Sequence, residues 1–361
     1  MIIFIYGTTA ELIKLSPLMH KLDEYEKAYE VWCTGQQIDE LSASAAALEV
    51  RVADHWIARG FRGHSLNRMS QVPFWLLRCF VWAVRNYKST SKRLSNQSAV
   101  VVVHGDTMTT VVGALIGRFF RNKVAHVEAG LRSHDWRNPF PEELDRKIAG
   151  LLCSIHFAPD NTAENNLAKT TGVVINTYGN TSVDALRFRT SVLEKQDKSR
   201  RTLVLLHRSE FLRDSNLVRR TFQLLIEVSQ KFEVVVVADA LSSAALQRQG
   251  ITTLLENAPN VRLLGKQSHQ EFIALLLGSE MVITDSGGVQ EECAAVGIPC
   301  FIHRKATERS DGLGENCVLT YQDTDVMSSL IEDYVTYARS ASTNQISPSV
   351  VIIDYLKSLG Y

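Results

Sequence analysis

Two neighbouring acidic words carry the residues best suited to chemistry. HGDT stands at His104–Thr107, and a run from His126 to Arg146 reads HVEAGLRSHDWRNPFPEELDR. They offer Asp106, Glu128, Glu142 and Glu143. The first two acids each follow an apolar run, AVVVV or KVAHV, and the glutamate pair opens a helix-like segment, PEELDRKIAGLL. Acids placed just past consecutive strands converge at one edge of a parallel sheet, where open α/β sheets bind ligands. Carboxylates sharing a cleft have their pKa values pushed apart, so one serves as base while another is an acid. The plainer reading is that Asp106 and Glu128 cap the following helices.

Three further turns carry polar groups. The first strand ends in Gly7-Thr8-Thr9-Ala10-Glu11, and Lys14 follows one turn into a helix. Such a turn lets backbone and a helix N-terminus approach an anion, which Lys14 can also reach; an ordinary βα turn reads the same. Asp285-Ser286-Gly287-Gly288-Val289-Gln290-Glu291-Glu292 follows the strand MVIT. Its glycines let a diphosphate lie against backbone, Ser286 adds a donor, and Glu292 can accept from ribose hydroxyls. A glycine pair there is also simply a tight turn. His207-Arg208 closes the strand TLVLL, a position often structural. Phe272, in HQEFIALLL, reads first as a core aromatic.

Short apolar runs must position these groups. Candidate strands are Ile2–Tyr6, Tyr29–Thr34, Ala99–His104, Lys123–Val127, Ile155–Ala158 and Val173–Thr177. The second set is Thr202–Leu206, Glu233–Ala238, Val261–Leu264, Met281–Thr284, Pro299–Ile302 and Cys317–Leu319. Helical runs such as Glu11–Leu22 and Phe222–Gln230 separate most of them. This alternation predicts an α/β protein with parallel sheets and helices on both faces. Twelve strands exceed one such domain, so two Rossmann-like halves are expected, 1–177 and 178–348, joined by a short hinge near Tyr178. Residues 51–70 and 304–316 read as loops.

The whole chain agrees with that division. Its 361 residues suit two domains of roughly 150–180 residues each. It is 45% apolar and 22% charged, with 39 basic and 39 acidic residues; no basic field suggests nucleic acid. The six cysteines lack metal-ligand spacing and read as buried thiols of a reducing, cytoplasmic protein. MIIFIYGTTAE reads as a strand, not a signal peptide. The apolar run Val72–Val84, VPFWLLRCFVWAV, is followed by Arg85, Lys88, Lys92 and Arg93. It is too short to span a bilayer. A core-facing helix with a solvated basic end is the first reading, and a membrane-surface helix the second.

HGDT, HVEAGLRS, NPFPEE, YGNTSVDAL, DSGGVQEE and ATERSDG occur in that order along nearly the whole chain. Together they resemble the non-hydrolysing UDP-N-acetylglucosamine 2-epimerases. The resemblance implies a glycosyltransferase-B arrangement: two Rossmann-like domains whose parallel sheets face a central cleft, acids in the first and UDP in the second. The closing helix, 349–361, would pack back on the first domain. The implied reaction interconverts UDP-N-acetylglucosamine and UDP-N-acetylmannosamine for bacterial surface polysaccharide synthesis. UDP leaves carbon 1 as a proton leaves carbon 2, and UDP re-adds after protonation of the opposite face. Asp106, Glu128 and Glu142 match the carboxylates of this chemistry, and His207 faces the reacting centre. Lys14, Gln36, Arg146, Phe272, Ser286, Gly287, Gly288, Glu292 and Arg309 are the implied UDP-sugar-binding residues. No metal or nicotinamide is required, and a homodimer is compatible.

Departures from the family pattern are specific. The first turn of the family reads Gly-Thr-Arg-Pro-Glu, whereas Thr9 and Ala10 stand here for the Arg and Pro. Gly-His-Arg-Arg-Glu becomes Leu206-His207-Arg208-Ser209-Glu210. Many bacterial relatives are activated by a second substrate molecule, through Gln-His-Arg and Pro-Val-His runs. Here those positions hold Gln36-Gln37-Ile38 and Ala238-Asp239-Ala240. The alternatives are an epimerase for another UDP-sugar, a UDP-sugar glycosyltransferase of the same fold with Trp75–Val84 serving a lipid-linked acceptor, and a silent binding protein. A hydrolysing epimerase is disfavoured by the EAGLR and PFPEE words.

Overall fold

The computed structural model describes residues 1–95, 97–133, 141–192, 199–341 and 346–361. The Asn-Pro-Phe part of the NPFPEE word, residues 138–140, lies outside the described residues. The chain divides into two compact units, Met1–Ala185 with Gln345–Tyr361, and Leu186–Asn344. The division falls inside a helix, Thr181–Val192.

The first unit contains strands β1 (Ile2–Tyr6), β2 (Tyr29–Cys33), β3 (His55–Trp56), β4 (Val100–His104), β5 (Lys123–Val127), β6 (Ile155–Ala158) and β7 (Val173–Asn176). Its helices are α1 (Thr9–Glu24), α2 (Leu41–Ala47), α3 (Val72–Ser95), α4 (Met108–Phe119), α5 (Glu142–Leu152), α6 (Asn161–Asn166) and the start of α7 (Thr181–Val192). The sheet order is β3-β2-β1-β4-β5-β6-β7, parallel throughout. Residues 51–70, expected as a loop, include β3. A two-residue edge strand is too short for any periodicity to reveal, and it forms because β2 offers its free edge to His55 and Trp56.

The strands read as unbroken apolar runs because both faces are covered. Ile2, Phe4 and Tyr6 enter one core, with Leu12, Leu15 and Met19 of α1, while Ile3 and Ile5 enter the other. On that second face α4 lies tight against the sheet. A Cβ on Gly113 or Gly117 would come within 2.8 Å of a valine methyl of the sheet, so this helix, and the loop that starts it, sit close to β4.

The second unit contains β8 (Arg201–Leu205), β9 (Glu233–Val237), β10 (Val261–Leu264), β11 (Met281–Thr284), β12 (Cys300–Ile302) and β13 (Cys317–Leu319). Its helices are α8 (Ser209–Arg213), α9 (Ser215–Val228), α10 (Ala240–Arg248), α11 (Ile251–Glu256), α12 (His269–Leu277), α13 (Gly287–Val296) and α14 (Thr324–Glu332). Its parallel sheet has the order β10-β9-β8-β11-β12-β13. The fold is thus α/β with two Rossmann-like units. Each sheet reverses its order once, between β1 and β4 and between β8 and β11. Ligands bind doubly wound sheets outside such reversals.

The last helix, α15 (Pro348–Ser358), returns to the first unit. Ile352, Ile353 and Leu356 are fully buried in the core that α1 lines. Ser347 caps α15, and its hydroxyl and the Ser349 N–H both donate to Asp184 Oδ2 at 2.8 Å. The anchor therefore ties α15 to the start of α7 as well as to α1.

Helix α3 only partly matches a core-facing reading. Trp75, Cys79 and Ala83 are buried, yet Phe74, Leu76, Leu77, Phe80 and Val84 are exposed. Leu115 and Phe119 of α4 extend this apolar surface. The cause is position: α3 covers the outer face of its unit, so only one stripe of an apolar sequence meets the core. No described helix is long and apolar enough to cross a membrane. All six cysteines are buried and free.

Truncating Leu356 tests how much the returning helix contributes. Leu356→Ala should destabilise the first unit by about 2–5 kcal/mol, the usual cost of emptying a packed leucine site. Chemical denaturation followed by fluorescence checks it; a shift below 1 kcal/mol would mean α15 is only loosely held.

Candidate active site

In the first unit, the ends of β1, β4 and β5 bring three sets of groups together. Glu128 follows β5 directly and has a left-handed backbone, φ 63°. That conformation costs a non-glycine residue on the order of 1 kcal/mol, and it turns the side chain out of the strand's path. Glu128 Oε2 accepts hydrogen bonds from Lys14 Nζ and Asn180 Nδ2. His104 Nε2 lies 3.7 Å from the same oxygen. All four side chains are largely buried.

Asp106 stands one turn away, after Gly105 at the end of β4. Gly105 takes φ 68°, a region glycine enters without strain. Its carbonyl meets His126 Nε2 at 2.7 Å, and its N–H donates to the Val127 carbonyl. Burial holds the His126 pKa down to about 4, so the imidazole stays neutral and serves the turn as a fixed polar contact. Asp106 is then paired by Arg146 of α5. Neither Asp106 nor Glu128 caps a helix: Thr107 is the N-cap of α4, accepting from the Thr110 N–H. That removes the plainest structural explanation for both acids.

Glu142 and Glu143 open α5 and are buried to different degrees. Glu143 is fully buried, accepts from the Ser133 N–H at 3.0 Å, and lies 3.9 Å from Arg146 Nη1. It fixes the guanidinium that holds Asp106. Glu142 is half-buried at the helix start, beside Asp145. Gln36 accepts from the Thr109 N–H and hydroxyl, at 3.1 and 2.9 Å, which joins the β2 loop to the start of α4.

Glu11 is a group that sequence reasoning passed over. Thr8 and Glu11 form a capping box on α1, a pattern visible as T-x-x-E. The structure adds a second role: Glu11 also accepts from Thr107 Oγ1 at 2.8 Å. One buried carboxyl thus ties the β1 turn to the turn that bears Asp106. Burial pushes its pKa up to about 7, against hydrogen bonds from Gly7, Thr107 and Thr8 that favour the charged form. Asn180 and His104 were also passed over as site groups, since an Asn before a helix and a His ending a strand are ordinary in sequence.

The second unit builds a separate cluster at its own reversal. Asp285 follows β11 and is fully buried. It accepts from the His207 N–H at 3.0 Å and the Arg208 N–H at 2.9 Å, while its carbonyl accepts from Arg208 Nε. Burial pushes Asp285 upward; His207 and the two N–H groups pull it back. Asp285, not singled out in the sequence, therefore positions both residues after β8. Ser286 is the N-cap of α13 but makes no side-chain cap bond. The first-turn N–H groups of that helix are thus left without a side-chain acceptor from Ser286, which suits an anion.

Arg309 lies against this turn. A Cβ on Gly287 would sit 3.2 Å from its Nε, so the guanidinium lies close against the helix start. Arg309 pairs with the buried Glu291. Gln290 accepts from Thr307 and donates to the Asp311 carbonyl at 3.0 Å, which holds the ATERSDG loop over α13. Glu292 Oε1 is 3.0 Å from His269 Nε2 at the start of α12. Phe272, one turn on, packs in the core with Leu276 and Val289. Each unit thus presents one buried carboxylate hub and one cluster of cations and donors.

The sequence model described as UDP-N-acetylglucosamine 2-epimerase matches residues 85–348. The chain belongs to this family. The UDP-N-acetylglucosamine 2-epimerase of Campylobacter jejuni is 29% identical over 336 residues, covering 86% of this chain and 83% of that one. A putative member from Thermotoga maritima is 32% identical over 324 residues, covering 86% and 82%. The Neisseria meningitidis enzyme bound to UDP-GlcNAc superposes with a TM-score of 0.78 at 25% identity, over 99% of both chains. The Methanocaldococcus jannaschii enzyme, solved with UDP-GlcNAc and UDP, gives 0.76 at 24% identity over 99% of both.

Against this family, the departures have definite places. Thr9, standing for the family arginine, is the half-buried first residue of α1. Asp239, standing in the Pro-Val-His run, is the N-cap of α10 and accepts from the Ser242 N–H at 2.7 Å.

The Lys14–Glu128 pair gives a direct test of this geometry. Lys14→Met leaves a buried carboxylate without its cation and should cost about 3 kcal/mol or more. Adding Glu128→Gln should restore over half of that loss, because the uncompensated charge is gone. Urea denaturation of the two variants decides it; a double variant less stable than Lys14→Met would refute the account.

Proposed function

We propose that this chain interconverts UDP-N-acetylglucosamine and UDP-N-acetylmannosamine by elimination and re-addition of UDP, in support of surface polysaccharide synthesis. The observation that carries the reading is the pair of anchored carboxylates at adjacent strand ends: Asp106 on Arg146, and Glu128 on Lys14 and Asn180. Neither serves as a helix cap, and each is held by cations that a proton-transfer site needs.

The proton on carbon 2 of the sugar is weakly acidic. A lone carboxylate would remove it slowly. Departure of UDP from carbon 1 helps, since positive character develops on the ring as the diphosphate leaves. The breaking C1–O bond takes its electron pair to the diphosphate, and the C2–H pair forms the C1–C2 double bond of an enclosed glycal. Return requires a proton on the opposite face of carbon 2 and attack by UDP at carbon 1. We assign the two proton transfers to the group Asp106, Glu128 and Glu142. Lys14, Gln36 and Arg146 are assigned to substrate positioning in the same unit.

The second unit is assigned the leaving group. The α13 start at Ser286–Gly288, Arg309 and His207 supply donors for a diphosphate whose charge grows as the bond breaks. Glu292 is the acceptor for ribose hydroxyls, and Phe272 lies with the uracil. In this assignment carbon 2 loses and regains a proton and not a hydride, so no step calls on a nicotinamide.

Turnover in heavy water should place solvent deuterium at carbon 2 as the second UDP-sugar forms. Proton NMR reads this directly; a product that keeps only its original proton would exclude the mechanism. Asp106→Asn, Glu128→Gln and Glu142→Gln should each lower kcat by roughly 10²-fold, with smaller effects on UDP affinity. The same NMR experiment separates the transferase reading, which leaves UDP-sugar unchanged without an acceptor.

Asp239 puts a negative charge where relatives activated by a second substrate molecule carry a Pro-Val-His run, and a diphosphate is repelled there. Rate against UDP-N-acetylglucosamine should therefore be hyperbolic, and the reverse reaction should run without activator. Sigmoidal kinetics would overturn this. Thr9→Arg, which restores a cation at the first turn, should raise turnover.

A further inference from the structure

Asp145 is the carboxylate of the acid cluster that no role above uses. It lies on α5, three residues after Glu142, and is 7% exposed. Its Oδ2 is buried and has no hydrogen-bond partner among the described residues. Arg146 follows it immediately but turns its guanidinium to Asp106 and Glu143. The ionisable groups whose charges act on Asp145 are Asp106, from the turn before α4, and Glu142, from its own helix. Both are acids, so among the described residues Asp145 has neither a paired cation nor a donor to stabilise a charge.

We propose that Asp145 is a positioning residue of the cluster: it holds a proton beside Asp106 and Glu142 and limits the negative charge in which those two groups work. The inference rests on the reading of Asp106 and Glu142 as proton-transfer groups. Three ionised carboxylates acting on one another in a part-buried place would repel, and the one without partners is the one that keeps its proton. A neutral Asp145 leaves Asp106 free to remain ionised on Arg146. Once Asp145 ionises, the added charge raises the proton affinity of both neighbours and disturbs their exchange with carbon 2. Burial first, then Asp106 and Glu142, push the Asp145 pKa up to about 7, so this change falls in the neutral range.

The sign for stability follows from the same shift. The folded protein keeps a proton on Asp145 that the unfolded chain releases near its ordinary value of 3.8. The contribution is complete below that value and is lost as pH rises through about 7.

The test compares the full-length protein with Asp145→Asn, which keeps the shape but cannot ionise. In the wild type, one aspartate carboxyl carbon, followed by ¹³C NMR, should titrate near pH 7, and Asp145→Asn should lack that resonance. Turnover of the wild type should fall about tenfold from pH 6 to pH 8, and in Asp145→Asn that fall should be at most about twofold. The NMR readout does not depend on the reaction, so it stands or falls apart from the epimerase reading. Absence of a wild-type resonance titrating near 7, or its persistence in Asp145→Asn, overturns the proposal. A hundredfold loss of turnover at pH 6 in Asp145→Asn also overturns it, since that would make Asp145 itself a proton-transfer group.

Discussion

A carboxylate that is 5% exposed must be neutralised and hydrogen-bonded, and Glu128 is both. The penalty for burying such an ion alone is several kcal/mol. Lys14 arrives from α1 and Asn180 from the stretch before α7, and both donate to one oxygen. The pairing thereby ties together β5, the first βα turn and the segment that leads out of the unit. Asp106 is positioned relative to this centre by the hydrogen bonds of His126 and Glu11 to the neighbouring turns. Displacing Glu128 would release contacts on three elements at once.

The second unit solves a similar problem with other parts. Asp285 is buried at the reversal of the sheet and takes two backbone N–H groups from the segment after β8. It serves as scaffold for His207 and Arg208, and it leaves the helix start at Ser286–Gly288 without a side-chain cap. Capping that start with a protein carboxylate would satisfy the same donors that a diphosphate requires. The absence of a side-chain cap and the close approach of Arg309 to Gly287 meet at the same helix start, which is the ground for assigning the diphosphate there.

These two centres also divide the charges. Acids dominate the first unit's strand ends, where protons would move. The second unit's strand ends carry His207, Arg208 and Arg309, where a leaving diphosphate would be held. The acids of the first unit are not equally free. Asp106 and Glu128 have cations, Glu143 accepts from Ser133 and lies by Arg146, and among the described residues Asp145 has no such partner.

Twelve of the strands were legible in the sequence to within one residue at either end, because strands covered on both faces must be unbroken apolar runs. Parallel pairing followed from the helical runs between them, and so did the place of Asp106 and Glu128 just past strand ends. What the sequence could not determine was partnership. Lys14 and Glu128 are 114 residues apart, and Thr107 and Glu11 are 96 apart. Such pairs exist only because the sheet order sets β1 beside β4 and β4 beside β5. Strand identity is a local matter of side-chain type and period, whereas sheet order depends on which long-range packing buries the most apolar surface. For the same reason Asn180, Asp285 and Asp145 went unread. Each is an ordinary polar residue in its own segment, and only the fold supplies the neighbours that give it a charge, a donor or neither.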